Sequence, residues 1–430
     1  MKNLNIPVGI SDFEKIRREG FYYIDKTGLV KELLNPKPAE VTLITRPRRF
    51  GKTLAMSMLE NFFDIKKNSR DLFAGLEISA SEELCRRWMN QCPTVSLSFR
   101  QVDGLDFSSA YDMLTMVISN LFNRHRYLLE SQEISEFQKT AFVQIASQKA
   151  TAGEIKNSLI LLTDMMQTYY GKKVLLLVDE YDVPVAKANN NGYYEEMLDV
   201  MKGLMQALKD NRALGFAVVT GCMKIAKESI FTGTNNFVSD TIADSRLNEY
   251  FGFVQREVDQ ILADGEITDK RELIKQWYDG YHFGDWDVYC PWDVMNYVLE
   301  LQHNPQAKPA GYWKNTSDNA IIRSFIDYAG GSITRKLEIL MEGGYIIQQI
   351  DKNLTYDYLH SSEDNLWSVL YLTGYLTQVR SETLNRELPA GSAALQIPNA
   401  EIREIFETTV IRWFDDSAKT WNRNHLFAAV

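Results

Sequence analysis

The sequence predicts an α/β fold, a parallel sheet flanked by helices with a mostly helical, winged-helix-like region after it. Three observations lead there. The apolar run Val41-Thr42-Leu43-Ile44-Thr45 enters a tight loop that ends in Gly51-Lys52-Thr53, just before a helical pattern. A second run, Lys173-Val174-Leu175-Leu176-Leu177-Val178, is continuous enough for a strand buried on both faces, and it ends in Asp179-Glu180. Further strand-like runs, Pro93–Phe99 and Leu214–Gly221, alternate with segments of helical spacing, as parallel sheets with crossover helices do.

At 430 residues the chain exceeds what one hydrophobic core usually holds. Two domains are expected, 1–255 and 256–430. A hydrophobic content of 45% with 12% aromatic residues is ample for a packed interior. No run approaches the roughly eighteen apolar residues of a membrane span, so no membrane is expected. Met1-Lys2-Asn3-Leu4-Asn5-Ile6-Pro7 lacks the apolar centre of a secretory signal. The four cysteines and five histidines are scattered without metal-ligand spacing, which suits the reducing cytoplasm and no zinc site. A net charge of −10 gives no global positive field for nucleic acid. The dense basic spot, Arg46, Arg48 and Arg49, falls inside the loop, where it serves a bound nucleotide or salt bridges to nearby carboxylates.

Taken in order, the chain opens with Ile10–Ile16, a capped helix start with Ser11 or Asp12 as N-cap. Phe21–Thr27 reads as an aromatic, strand-like piece, and Asp25 or Thr27 caps a helix over Gly28–Leu34 that Asn35-Pro36-Lys37-Pro38 closes. These aromatic side chains serve packing, or a wall against which a base stacks. The loop itself has the grammar of a phosphate-binding P-loop. Its backbone N–H groups and the dipole of the next helix make a concave positive site. Gly51 lets the backbone approach phosphate without a Cβ. Lys52 is expected between the β- and γ-phosphates, with the Thr53 hydroxyl in the magnesium shell. The usual spacing places a glycine where Arg46 stands, and Pro47 pushes Arg46 toward an extended shape, so the first turn is built differently. The nucleotide-binding stretch is therefore Arg46, Pro47, Arg48, Arg49, Phe50, Gly51, Lys52, Thr53 and Leu54.

After the loop, Leu54, Met58, Leu59, Phe62 and Phe63 keep helical spacing. A strand over Pro93–Phe99 follows, then a long helical region over about 108–170 with a polar interlude at 131–135. Asp179, at the end of its strand, is suited to hold magnesium, and Glu180 to take a proton from water, a role worth about 10²–10⁴ in rate. A helix over about 193–211 leads to the strand Leu214–Gly221, whose Thr220 either senses the γ-phosphate or caps the strand. The catalytic set is Lys52, Asp179, Glu180 and Thr220, the metal set Thr53 and Asp179, and the cofactors ATP and Mg²⁺. Phe251-Gly252-Phe253-Val254 reads as the last core strand. Because the run at 94–99 intervenes, the P-loop and acidic strands are not expected side by side. That arrangement, with a base for water, favours an ATPase over a small-molecule kinase, which must exclude water. Lys224 and Arg246 are candidates for a cation on the γ-phosphate, unless a neighbouring subunit supplies it.

The stretch Ile44–Thr53 resembles the predicted AAA-ATPase-like proteins of bacteria, many of which carry a C-terminal PD-(D/E)XK nuclease domain. The likeness extends through Tyr23–Thr27, Leu177–Asp182, Ser229–Asn236, Trp277–Tyr281, Tyr289–Trp292, Tyr312–Thr316, Leu372–Leu376 and Ile397–Asn399. Arg46 in place of glycine is typical of that family. The resemblance implies an AAA-like or STAND-like P-loop NTPase core with a helical lid and winged-helix-like region after it. It implies a Mg-ATP switch in a nucleic-acid-related or defence-type process, or else a nucleotide-held scaffold or regulatory module of a DNA nuclease. No Asp…Glu-x-Lys pattern stands near the end, so the nuclease part is expected to be missing. Beyond 256, the expectations are a helix beginning at Arg256, a helix end and glycine turn at Trp277–Gly284, helix over Ala320–Leu340, winged-helix elements at Gly343–Ile347 and Leu366–Val379, and a helix near Glu401–Phe414. The aromatic set at 277–283 reads as packing, and the lone His282 is given no catalytic role. This region is the candidate contact for DNA or a protein partner, with homo-oligomerisation as a further expectation.

Overall fold

The computed structural model describes residues 2–224, 237–313, 331–352, 354, 362–384 and 387–409. Five strands, β1 (Val41–Thr45), β2 (Thr94–Ser98), β3 (Val174–Asp179), β4 (Leu214–Gly221) and β5 (Phe237–Asp240), form one parallel sheet in the order β2-β3-β4-β1-β5. The P-loop strand β1 and the acidic strand β3 are thus separated, and the strand between them is β4. β2 lies outside β3. Register brings the strand ends level: Thr45 opposes Gly221, Ile44 opposes Thr220 and Asp240, and Ser98 opposes Asp179. Every residue that follows a strand end therefore opens onto one edge of the sheet.

The period of two in the apolar runs decides which helices cover which face. Val41, Leu43, Val95, Leu97, Leu176, Val178, Ala217 and Val219 point to one side, under the helices Phe107–Arg124, Glu136–Ala146, Ser158–Tyr170 and Tyr194–Leu204. Ile44, Leu175, Leu177, Phe216 and Val218 point to the other, against the helices Phe13–Arg18, Gly28–Leu34 and Lys52–Phe63. A strand with both faces covered needs no polar alternation, which is why these runs read as continuous.

The expectation at Phe251–Val254 is corrected. The fifth core strand is β5, a short edge strand whose Phe237, Val238 and Ser239 are half-buried. Phe253 makes only an isolated antiparallel bridge to Tyr289. Its run is apolar because its residues feed three clusters: Phe253 packs with Leu4, Ile6 and Ile24, Phe251 with the layer of Phe13 and Phe62, and Val254 with that of Phe50. Phe21–Thr27 is likewise not a strand. Asp12 is the N-cap of the first helix, accepting from the Lys15 N–H at 3.0 Å. Thr27 occupies the N-cap position of the second, and its N–H and hydroxyl both donate to Asp25.

Beyond the sheet come the helices Gln255–Asp264, Arg271–Tyr278 and Pro291–His303, with a hairpin of β6 (Tyr281–Phe283) and β7 (Trp286–Val288). A three-stranded antiparallel sheet, β8 (Ile346–Gln349), β9 (Thr377–Gln378) and β10 (Ser392–Gln396), has the order β8-β10-β9 and accompanies the helices Gly331–Met341 and Glu363–Leu372. A helix over 400–409 ends the described chain. The stretch Ser229–Asn236, most of the helix expected over Ala320–Leu340, Lys314-Asn315-Thr316 and the chain after 409 lie outside the described residues.

Candidate nucleotide site

The loop Arg46–Gly51 is held by both layers. On the sheet side the Arg46 N–H donates to Gly221 O at 3.1 Å. On the other side Phe50 is fully buried, its ring 5.0 Å from that of Tyr281 and 5.1 Å from that of Phe283. The Arg49 guanidinium lies 4.1 Å over the Trp292 ring. Gly51, at φ +83°, is the N-cap of the helix Lys52–Phe63 and uses no side chain for the cap. The first-turn N–H groups of that helix, and the positive end of its dipole, therefore face the loop's concavity.

A cavity of about 610 Å³ begins there. Its polar wall carries Lys26, Arg48, Arg49, Lys52, Arg100 and Lys187, while Glu180 is the one carboxylate among its described lining residues. In a chain of net charge −10 this is a local reversal of sign, and it suits a polyanion. The far wall is apolar, with Val8, Ile10, Tyr22, Leu54, Met58 and Met295.

The Lys52 ammonium donates to Arg46 O at 2.8 Å and Pro47 O at 2.9 Å, and approaches Cys222 Sγ at 3.6 Å. Its charge is thus aimed into the loop that it closes. The Thr53 hydroxyl donates to Asp179 Oδ2 at 2.9 Å, and the Thr220 hydroxyl to Asp179 Oδ1 at 2.6 Å. Asp179 and Thr220 are buried behind the cavity wall and are reached through Thr53. A hydroxyl and a carboxylate side by side are oxygen donors of the kind magnesium takes with substrate phosphates, so this pair fits that ion.

Glu180 stands one residue further on, in the left-handed region at φ +51°. Two backbone bonds clamp it there: Phe99 N–H to Asp179 O and Tyr181 N–H to Thr220 O, both 3.0 Å. A non-glycine residue held at positive φ costs about 1–3 kcal/mol and marks a site where geometry is imposed. Burial, and then the Asp179 charge, push the Glu180 carboxyl above the ordinary Glu range, while Lys52 and Arg100 pull it back. The end of β4 is fixed to the same turn, since Asp182 Oδ2 accepts from the N–H groups of Cys222 and Met223. Glycine is required at 221 because a Cβ there would lie 2.7 Å from the Tyr181 ring and from Asp182 Oδ1.

Arg46 and Pro47 do not line the cavity. The Arg46 guanidinium is fully buried on the β5 side, donating to Thr45 O at 2.8 Å, to Asp240 O at 3.0 Å and, through Nη2, to Asp240 Oδ1. Arg48, Arg49, Phe50, Gly51, Lys52, Thr53 and Leu54 do line it. Lys224 and Arg246 are absent from the wall; Lys224 lies in the field of Asp244 and Asp351, and Arg246 is exposed.

A family model described as Predicted AAA-ATPase matches residues 7–231, just over half of the chain. The chain belongs to this family. It is also 26% identical over 426 residues to an uncharacterised protein from the vnfD 5′ region of Azotobacter chroococcum mcd 1, an alignment that covers 97% of this chain and 72% of the relative. No solved structure matches it. As its name says, the family is one of predicted ATPases, and membership points to nucleotide binding and hydrolysis. Among the described residues no helix is long and apolar enough to cross a membrane.

Three contributors to this AAA-ATPase-like site were not among the site residues expected from the sequence. The segment Pro7–Ser11 forms part of the wall from far upstream, Trp292 from far downstream, and Arg100 from the turn after β2. Each arrives through tertiary contact. Only the position of Arg100, one residue past an apolar strand whose neighbour ends in Asp179-Glu180, could have drawn attention to it.

Proposed function

We propose that the chain binds ATP with magnesium in this cavity, hydrolyses the terminal phosphate bond, and passes the change of state to its C-terminal region. The observation that carries this reading is the sign reversal of the wall: six basic side chains beside a helix N-terminus, with a single carboxylate where a water would attack. Lys52 would leave its loop carbonyls for phosphate oxygens. Thr53 and Asp179 would hold magnesium, which when bound neutralises developing charge on the phosphate oxygens. Thr220 fixes the Asp179 carboxylate, and Glu180, raised in pKa by burial, accepts the proton of the attacking water. The apolar far wall suits a base. The winged-helix-like C-terminal region acts as the lid, because Phe50 and Arg49 are shared between it and the loop. Cytoplasmic location and assembly into oligomers belong to the same proposal.

The test is phosphate release and nucleotide-dependent thermal stabilisation on the same preparations. Lys52→Ala should lose both. Glu180→Gln should keep the stabilisation and lose about 10²–10⁴ of the turnover. The acid limb of the wild-type rate should lie above the ordinary Glu value of about 4.3, since the base works only once it is ionised. Turnover indifferent to both substitutions overturns the proposal. Stabilisation without any release reduces the chain to a nucleotide-held scaffold.

A further inference from the structure

We propose that Arg100 is the cation this chain itself supplies to the terminal phosphate, so that each site is complete in cis. This rests on the ATPase reading above and names a residue that reading leaves without a role. Among the cations in the wall, Lys26 is paired with Glu257 and Lys187 with Asp103. Lys52 is turned to its loop carbonyls, Arg49 is stacked on Trp292, and Arg48 has an interaction of its own. The Arg100 side chain is exposed to the cavity and, among the described residues, makes no hydrogen bond or ion pair.

Its placement is built. Phe99, fully buried, donates its N–H to Asp179 O; Val102 N–H closes the turn on Phe99 O at 2.9 Å; and Arg100 N–H reaches Ser98 Oγ at 3.3 Å. With Ser98 in register with Asp179, residues 99 and 100 run beside Glu180. Arg100, Glu180 and Arg49 line the same cavity, so the guanidinium shares a wall with the base and the loop arginine. A guanidinium offers parallel donors to phosphate oxygens, which suits charge that grows as the bond breaks. Lys224 and Arg246, outside the wall, are not placed for this work.

The experiment compares Arg100→Ala, Arg100→Lys and Glu180→Gln with the wild-type chain. Arg100→Ala removes an exposed side chain, and its melting temperature without nucleotide should match wild type. Its turnover should fall by about 10³-fold or more, the scale of a lost arginine finger, with Arg100→Lys intermediate. A merely structural role would move the melting temperature as well. Mixing Arg100→Ala with Glu180→Gln should stay as inactive as the parts; restored turnover would put the arginine on a neighbour's site and overturn the cis assignment. Turnover of Arg100→Ala within about three-fold of wild type overturns it too. Should the wild-type chain release no phosphate, the hydrolysis reading fails by itself. The Arg100 contact is then read from binding: the preference for ATP over ADP should fall about ten-fold in Arg100→Ala, and an unchanged preference refutes it.

Discussion

Arg46 stands where a phosphate loop ordinarily has glycine, and its guanidinium goes to Asp240 at the end of β5, with its face 5.3 Å from the Phe251 ring. The residue therefore ties the loop's first turn to the edge strand. Two opposite charges so deeply buried are costly to separate: removing one partner of such a pair typically costs about 3–5 kcal/mol, because the other charge is left without compensation. Arg46→Met is expected to lower the denaturation midpoint by that order, and Asp240→Leu likewise. The double change should cost clearly less than the two together, since no charge is then stranded. Purely additive losses would mean that the two side chains act apart. As for legibility, Lys52, Thr53, Asp179 and Glu180 could be read because each sits in a local motif whose chemistry needs those neighbours. The partner of Arg46 could not, since Asp240 is almost two hundred residues away and only the sheet order brings it near.

Elements divide in the same way. β1, β3 and β4 were legible as apolar runs because each is covered on both faces, and β2, an edge strand, by its period-two alternation, whereas β5 is a half-buried edge strand with no such run. The helix Val183–Asn191, rich in asparagine, shows little apolar periodicity and was missed for the same lack of signal. The helix that matters most to the proposed function is Lys52–Phe63, because its first turn is the proposed phosphate site and Gly51 sets its direction. A Cβ built on Gly51 would meet nothing within 4 Å, so substitution is opposed only by the backbone at φ +83°. Gly51→Ala should therefore cost about 1–2 kcal/mol of stability, the left-handed penalty, without any packing defect. The loss in nucleotide affinity should exceed what that stability change implies, because the N–H groups of the turn must re-aim. Thermal melts with and without ATP measure both. A variant that binds ATP as wild type does would show that the turn geometry is not what grips phosphate.

Across the whole molecule, the loop and the C-terminal layer are one packed object. Phe50 sits in a cluster of buried apolar residues that reaches Trp367, Ile402 and Phe406, and a Cβ on Gly374 would lie 3.0 Å from Pro47. One residue past the Trp292 that stacks on Arg49 is Asp293, buried against Glu401 on the helix over 400–409. Burial raises both carboxyls, and the Asp293 charge raises Glu401 further, so the pair holds a proton where the C-terminal helix meets the segment beside Trp292. A carboxyl with a raised folded pKa keeps a proton that the unfolded chain has released. Its burden on stability is absent below the ordinary Glu value of about 4.3 and grows as pH rises above it. Glutamine at 401 keeps an acceptor for the Trp313 N–H, which Glu401 Oε1 now accepts at 2.7 Å, and offers an N–H toward Asp293. Glu401→Gln is accordingly expected to gain stability over wild type at pH 8, by up to about 1.4 kcal/mol for each pH unit of the window, and to gain little at pH 5. Melts at the two pH values decide the matter. A variant that loses more stability at pH 8 than at pH 5 would mean that Glu401 is ionised in the fold and bound to a cation, and its contact would then be an ion pair that salt weakens.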